Sequence, residues 1–174
     1  RDPARLRRIG RLVVMGGAVT VAGNVTPAAE FNFHVDPDAA QAVLAGGLPV
    51  ELIPLDVTRR VTLGRAALDT RLPPPRGPRG QFLEDFSAHG FAFGGMRGDG
   101  GITLHDPLAV AVAADPSLVG LEPLHVQVET ESDLTRGLSL AGRRPGAPED
   151  RRPPNCHVAL GVDAPRVVAL TLEG

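Results

Sequence analysis

Residues 12 to 55 constrain the fold most, because they set an apolar strand, paired glycines, a long polar loop, a capped helix and a second apolar strand in one order. Leu12 to Met15 reads as a short buried strand, and Asp36 is a natural N-cap with Pro37 at the first helical position. Ala40, Val43 and Leu44 give that helix an apolar stripe, which Gly46-Gly47 ends, and Val50 to Leu55 is the next strand. Strand, helix, strand at this spacing predicts a βαβ unit with parallel strands, and hence an α/β architecture.

Between Met15 and Asp36 the chain spends about twenty residues without a helix or strand pattern. Loops of that length inside compact domains usually serve a site. Asn24, Glu30 and Asn32 fall within nine positions of it. Amides donate and accept while a carboxylate only accepts, so the trio suits a ligand with neighbouring hydroxyls.

With 174 residues, 43% of them hydrophobic, the chain has room for one domain with a real core. A net charge of −2 and a pI near 6.2 give no electrostatic case for nucleic acid. No apolar run approaches the roughly twenty residues of a membrane span, and Cys156 is the single cysteine, so an internal disulfide is excluded. RDPARLRRIG at the start is basic but lacks the apolar core of a signal peptide, which makes a cytoplasmic setting the default expectation.

Further along, Pro3 to Ile9 reads as the tail of a helix, Arg59 to Leu72 as helical, and Pro73 to Gly80 as a surface loop. Residues 81 to 93 predict a helix with Phe82, Phe86 and Phe93 on one side, followed by a mobile glycine-rich stretch from Gly94 to Gly101. Asp106-Pro107 repeats the capping device of Asp36-Pro37, and Leu108 to Ala114 continue that helix. Leu124 to Glu129, Leu138 to Ala141 and His157 to Val162 read as strands, the first two able to pair as an antiparallel hairpin around residues 130 to 135. Pro165 to Leu172 reads as the start of a terminal helix, although Val167 and Val168 also suit a strand.

Met-Gly-Gly at 15 to 17, Gly-Asn at 23 to 24, Glu-Phe-Asn at 30 to 32, Asp-Pro-x-Ala-Ala at 36 to 40, Leu-Asp-Val-Thr at 55 to 58 and His-Asp-Pro-Leu-Ala at 105 to 109 occur in one order. That series resembles the inosine/uridine-preferring nucleoside hydrolases, which cleave the N-glycosidic bond of ribonucleosides, and the resemblance runs from about Pro3 to the end. It implies an α/β fold with a mostly parallel sheet flanked by helices, a ribonucleoside substrate, Ca2+ as cofactor and a homo-oligomer when intact. The family carries an Asp-x-Asp-x-x-x-Asp-Asp cluster near its N-terminus that supplies calcium ligands and the base that activates water. Here Asp36/Asp38 and Glu84/Asp85 are acidic pairs, and neither continues into such a cluster. The resemblance therefore implies one incomplete domain over residues 1–174, beginning after the segment that would hold the cluster.

By the same resemblance Asn24, Glu30 and Asn32 match positions that bind ribose hydroxyls, and Met15 matches the methionine that lies against the sugar. Asp106 matches a calcium ligand and His105 a residue able to reach and protonate a departing base. Read from residues alone, Asp106 is equally a helix cap, His105 a surface histidine, Met15 a core residue and Glu30 part of a solvated loop. His34 stands where the family usually has an aromatic residue. Asp56 and Thr58 follow a strand's C-terminal end, where α/β sheets place their sites, although Asp56 equally suits a helix cap. His89, His125 and His157 lack metal-ligand spacing. GGAVTVAGN does not fit G-x-G-x-x-G, and Ser or Cys nucleophile motifs are absent, which leaves activated water as the attacking group.

Two expectations follow. The first is a ribonucleoside N-ribohydrolase that uses a calcium-activated water. The second, prompted by the absent aspartate cluster, is a catalytically incomplete fragment or decayed homologue that at most binds ribosides or a partner subunit, with an apolar sheet edge that favours association.

Overall fold

The computed structural model describes residues 8–75, 77–97, 100–143 and 152–173. Its central sheet has the order β1-β2-β8-β5, formed by Leu12–Met15, Val50–Ile53, Cys156–Val162 and Val119–Leu124. β1, β2 and β8 are parallel, with Leu12 opposite Val50 and Leu52 opposite Val158, and β5 is antiparallel to β8 at one edge. The fold is thus α/β, with a mostly parallel sheet flanked by helices.

Alternation along the strands explains why both faces are covered, since successive side chains point to opposite sides. Val50, Leu52, Cys156 and Val158 enter one core with Phe33, Leu44, Val126 and Val128. Ile53 and Ala159 enter the other with Leu108, Val112 and Val167. Two helices, α1 (Phe31–Val35) and α2 (Pro37–Ala45), follow the long loop. Asp36 caps α2 by accepting from the Ala39 N–H at 2.9 Å, and Gly47 turns the chain toward β2 with φ of 67°.

Arg59 to Leu72 is not one helix. A single turn, α3 (Leu55–Thr58), is followed by β3 (Thr62–Leu63) and then α4 (Arg65–Arg71). β-Branched Val61 and Thr62 prefer the extended form, and β3 finds an antiparallel partner in β4 (Ile102–Thr103), a contact invisible locally.

Helix α5 spans Pro78–Arg97, so it begins inside the expected loop and runs through Gly94 and Gly95. Proline is well suited to a first helical position, and tertiary packing overrides the roughly 1 kcal/mol penalty of each helical glycine. Gly90 shows how: a Cβ there would lie 3.0 Å from Ile102, so glycine allows α5 to approach β4 closely. Phe82 and Phe86 do share a side of α5, with ring centroids 6.1 Å apart, but both are exposed. Phe93 and residues 98 and 99, as a side chain and as positions, lie outside what is described.

Helix α6 (His105–Ala114) leads through a 3-10 turn at Pro116–Leu118 into β5, a strand that its Gly and Pro conceal in the sequence. Pro123 is tolerated because β5 is an edge strand. The hairpin of β6 (Val126–Val128) and β7 (Ser139–Ala141) forms as expected, and α7 (Ala164–Glu173) is helical. The helix tail expected over Pro3 to Ile9 lies outside the described residues except for Arg8 and Ile9, which are not helical. No helix among the described residues is long and apolar enough to cross a membrane.

Arg11 locks the N-terminal end of the sheet. Its guanidinium donates to both Glu51 oxygens at 2.8 and 2.6 Å and to the carbonyls of Val112 and Ala113, which end α6. A cation there complements the negative end of the helix.

Cys156 is 4% exposed, and burial pushes its thiol from an ordinary 9.0 up to about 11. The thiolate is the reactive form, so native Cys156 is expected to resist a disulfide reagent at neutral and mildly alkaline pH and to react fully on unfolding. Folding disfavours the thiolate, so Cys156 leaves stability unchanged below pH 9 and reduces it as pH rises from 9.0 toward 11. Rapid stoichiometric labelling of the folded chain at neutral pH would contradict the burial.

Candidate functional site

β1 and β2 end side by side, with the Gly16 N–H on the Ile53 carbonyl at 3.3 Å and the Leu55 N–H on the Gly17 carbonyl at 2.9 Å. Residues 16–30 leave from this point, beyond the C-terminal ends of parallel strands, where α/β sheets usually bind ligands. The loop is shorter than its sequence pattern predicts, because α1 already begins at Phe31. It is also pinned. Asp56 accepts from the Val19 and Thr20 N–H groups at 2.8 and 2.7 Å, and from the Thr20 hydroxyl. Ser139 Oγ accepts from the Ala18 N–H at 3.2 Å, and Arg59 donates to the carbonyls of Ala22 and Gly23, each at 2.8 Å.

The paired glycines are required by what packs on them. A Cβ at Gly16 would lie 2.5 Å from the Phe33 ring, and Gly17 adopts φ of 77° with Ser139 Oγ 2.8 Å from its would-be Cβ. Gly23 is enclosed still more tightly, since a Cβ there would meet the Ala29 carbonyl at 2.1 Å. The loop's far end is fastened by an antiparallel bridge from Ala29 to Leu138.

Glu30 is 2% exposed, so it does not belong to a solvated loop. Its carboxylate caps α1, with Oε1 accepting from the Asn32 N–H at 2.9 Å and Oε2 from the Phe33 and Gly17 N–H groups at 3.3 and 3.1 Å. An ionised carboxylate offers about four acceptor positions, so three are taken by backbone. Asn32 Nδ2 donates to the Met15 carbonyl at 3.3 Å and touches Met15 Sδ at 3.4 Å. Asn24 Oδ1 accepts from the Phe31 N–H at 2.9 Å, and Asn24 and Asn32 are both exposed. Met15, Glu30 and Asn32 therefore form one bonded group at the end of β1, with Asn24 tied to the same helix start. Met15 and Asn32 border an apolar cavity of about 330 Å³ lined also by Leu12, Val14, Phe33 and Val43.

The second group stands at the start of α6. Leu104, not Asp106, is the N-cap residue, so His105 and Asp106 are the first two helical residues and Pro107 the third. The Asp106 carboxylate is exposed and makes no capping bond. This corrects the expected Asp-Pro cap: hydrogen bonds from β3 and β4 pull the helix start back two residues, including the Leu104 N–H on the Val61 carbonyl at 2.9 Å. His105 is half-buried, with Nδ1 2.8 Å from Thr58 Oγ1. Thr58 and Asp56 share the single turn α3, so that turn holds the loop with one side chain and His105 with the other.

His34 lies on α1 with Nδ1 3.4 Å from the Arg136 carbonyl, and His125 Nδ1 is 2.9 Å from the Pro153 carbonyl. Ser139 and Arg59 were not among the expected site residues. Nothing local marks them, since their importance rests on partners distant in sequence. Among the described residues no three His, Cys, Asp or Glu side chains come together as a metal site requires. Calcium takes about six to eight oxygens, and Asp106 alone does not fit it.

The pinned polar loop leaves from the C-terminal ends of parallel strands, where α/β sheets usually bind ligands, and the turn that clamps it also holds His105. The chain belongs to the inosine-uridine preferring nucleoside hydrolase family, whose model matches residues 1–169. It is 37% identical to the non-specific ribonucleoside hydrolase of Klebsiella pneumoniae over 92% of this chain and 50% of that protein. It is 34% identical to a pyrimidine-specific ribonucleoside hydrolase of a Shewanella strain over 95% of this chain and 51% of that one. Among solved structures, the purine-preferring ribonucleoside hydrolase of Gardnerella vaginalis matches with a TM-score of 0.84 and 37% identity, over 98% of this chain and 53% of the other. The chain spans about half the length of the relatives it matches.

Proposed function

We propose that this chain carries the sugar-holding and base-facing part of a ribonucleoside N-ribohydrolase, which gives ribose and free base. The bonded group of Met15, Glu30 and Asn32 at the end of β1 carries the reading. Asn24, Glu30 and Asn32 hold the ribose hydroxyls and Met15 lies against the sugar. Fixing those hydroxyls favours the flattened, oxocarbenium-like sugar through which glycosidic cleavage passes. His105 meets the departing base, and Asp106 is the oxygen ligand this chain offers to calcium. Asp106 alone does not complete a calcium shell, which takes about six to eight oxygens. Relatives described as non-specific, pyrimidine-specific and purine-preferring are all similar to it, so family membership leaves the base open.

The absence of an acidic cluster among the described residues favours a second reading, in which these 174 residues bind ribosides without cleaving them. One experiment separates the two. The polypeptide encoded by the full reading frame around Arg1, if it supplies an Asp-x-Asp-x-x-x-Asp-Asp motif, should release ribose from inosine or uridine with calcium and stop on chelation. Asp106→Ala should remove that turnover, and full activity in the variant would refute the metal assignment. Calcium-dependent turnover by the 174-residue chain itself would refute the second reading.

A further inference from the structure

Between Gly23 and Ala29 the loop closes on itself. The Gly23 N–H donates to the Pro27 carbonyl at 3.0 Å and the Asn24 N–H to the Ala29 carbonyl at 3.1 Å, while Thr26 Oγ1 accepts from the Ala28 and Ala29 N–H groups at 3.3 and 3.0 Å. A Cβ at Gly23 would lie 2.2 Å from the Thr26 carbonyl, so the turn is wound too tightly to admit a side chain there. Its backbone groups bond to one another, and a loop closed in this way moves as one piece.

The end of this piece is fastened by the Ala29 bridge to Leu138 and by the Glu30 cap. Its beginning hangs on Arg59, which donates from Nη1 to the Ala22 carbonyl and from Nη2 to the Gly23 carbonyl, both at 2.8 Å. A planar guanidinium holds its donors in a fixed fork, so two successive carbonyls on it set an angle that a single hydrogen bond leaves free. The fork stands at the end of α3, with the Arg59 N–H on the Leu55 carbonyl at 3.2 Å, and Leu55, Val57 and Thr58 of that turn are all buried.

Asn24 follows the last carbonyl of the fork. The Phe31 N–H only donates, so the Asn24 atom 2.9 Å from it is Oδ1. Nδ2 makes no hydrogen bond among the described residues, which leaves Asn24 presenting a donor. A sugar hydroxyl meets a donor with its oxygen. We infer that Arg59 is a positioning residue for Asn24: its fork sets the orientation of the 23–29 turn against α3, and with it the place where the Asn24 amide meets a hydroxyl oxygen. This rests on the proposed contact of Asn24 with ribose. Arg59 is exposed, so its removal buries no unpaired group and leaves the sheet folded.

The test uses the 174-residue chain and two readouts. Amide relaxation without ligand should show residues 23–29 gaining motion together in Arg59→Ala, with β1 and β2 unchanged. Arg59→Lys, which keeps a cation and N–H donors, should recover part of that order. Riboside affinity, read from amide shifts on titration with uridine or inosine, should fall about fivefold in Arg59→Ala, the equivalent of one ordinary hydrogen bond. In an Asn24→Ala background the same change should cost no further affinity, because a residue that acts through Asn24 then has nothing to position. Equal order of residues 23–29 in wild type and Arg59→Ala, or affinity losses that add, would overturn the inference. If the wild type bound neither nucleoside, the sugar-holding reading would fall for this chain, and the relaxation readout alone would decide whether Arg59 sets the turn.

Discussion

Glu30→Ala is expected to destabilise the chain by about 4 kcal/mol, the largest effect of any single side chain in the site. Three backbone N–H groups, of Gly17, Asn32 and Phe33, depend on this carboxylate, which is 2% exposed. An unsatisfied buried donor costs about 1–3 kcal/mol, and here the partners of a charged acceptor are stranded together. The apparent melting temperature should fall by roughly 10 °C for a chain of this size. Glu30→Gln retains one acceptor oxygen but turns an amide group toward backbone donors, so it should lose about half as much. Riboside affinity should weaken in both variants, because α1 and the Met15–Asn32 contact are organised by the same cap. A loss below about 1 kcal/mol in Glu30→Ala, measured by urea unfolding, would show that the cap is not formed.

Asp56→Ala follows, with an expected cost of about 3 kcal/mol. Asp56 is 8% exposed and gathers the Val19 and Thr20 N–H groups and the Thr20 hydroxyl, so removing it frees the middle of the loop while Ser139 and Glu30 still hold its beginning and end. Hydrogen exchange offers the local readout. The Val19 and Thr20 amides should lose protection, while the β2 amides, paired within the sheet, should not. Uniform loss of protection across sheet and loop would mean that Asp56 supports the whole fold and not this loop.

These expectations show how unevenly the site was legible. Asn24, Glu30, Asn32, His105 and Asp106 were all singled out by residue type and motif order, but only part of their local setting follows from short spacings. Glu30 caps Asn32 and Phe33 within its own helix start, which a sequence window can register. Its third bond, to Gly17, needs the loop to fold back. Asp56 and Thr58 were visible as residues after a strand, but their partners are not neighbours in sequence. The Asp-Pro device misled at 106 for the same reason: local capping preference is worth about 1 kcal/mol, and the β3-β4 pairing outweighed it.

The same contrast runs through the fold. Strands β1, β2 and β8, helix α2 and the β6-β7 hairpin were readable because hydrophobic period and turn chemistry act within a few residues. β5 was not, because Gly120 and Pro123 are poor strand residues that only an edge position beside β8 makes acceptable. α5 exceeded its expected bounds at both ends, since Gly90 packing on Ile102 belongs to no local pattern.

By itself the sequence determined the α/β class, the strand-loop-helix order and a loop whose polar residues suit neighbouring hydroxyls, all of which rest on interactions a few positions long. Tertiary structure decided that the long loop is clamped by Asp56, Ser139 and Arg59, that Glu30 is a buried cap, and that Thr58 holds His105. Those are contacts between segments distant along the chain. Their geometry exists only once the sheet has placed the ends of β1 and β2 together.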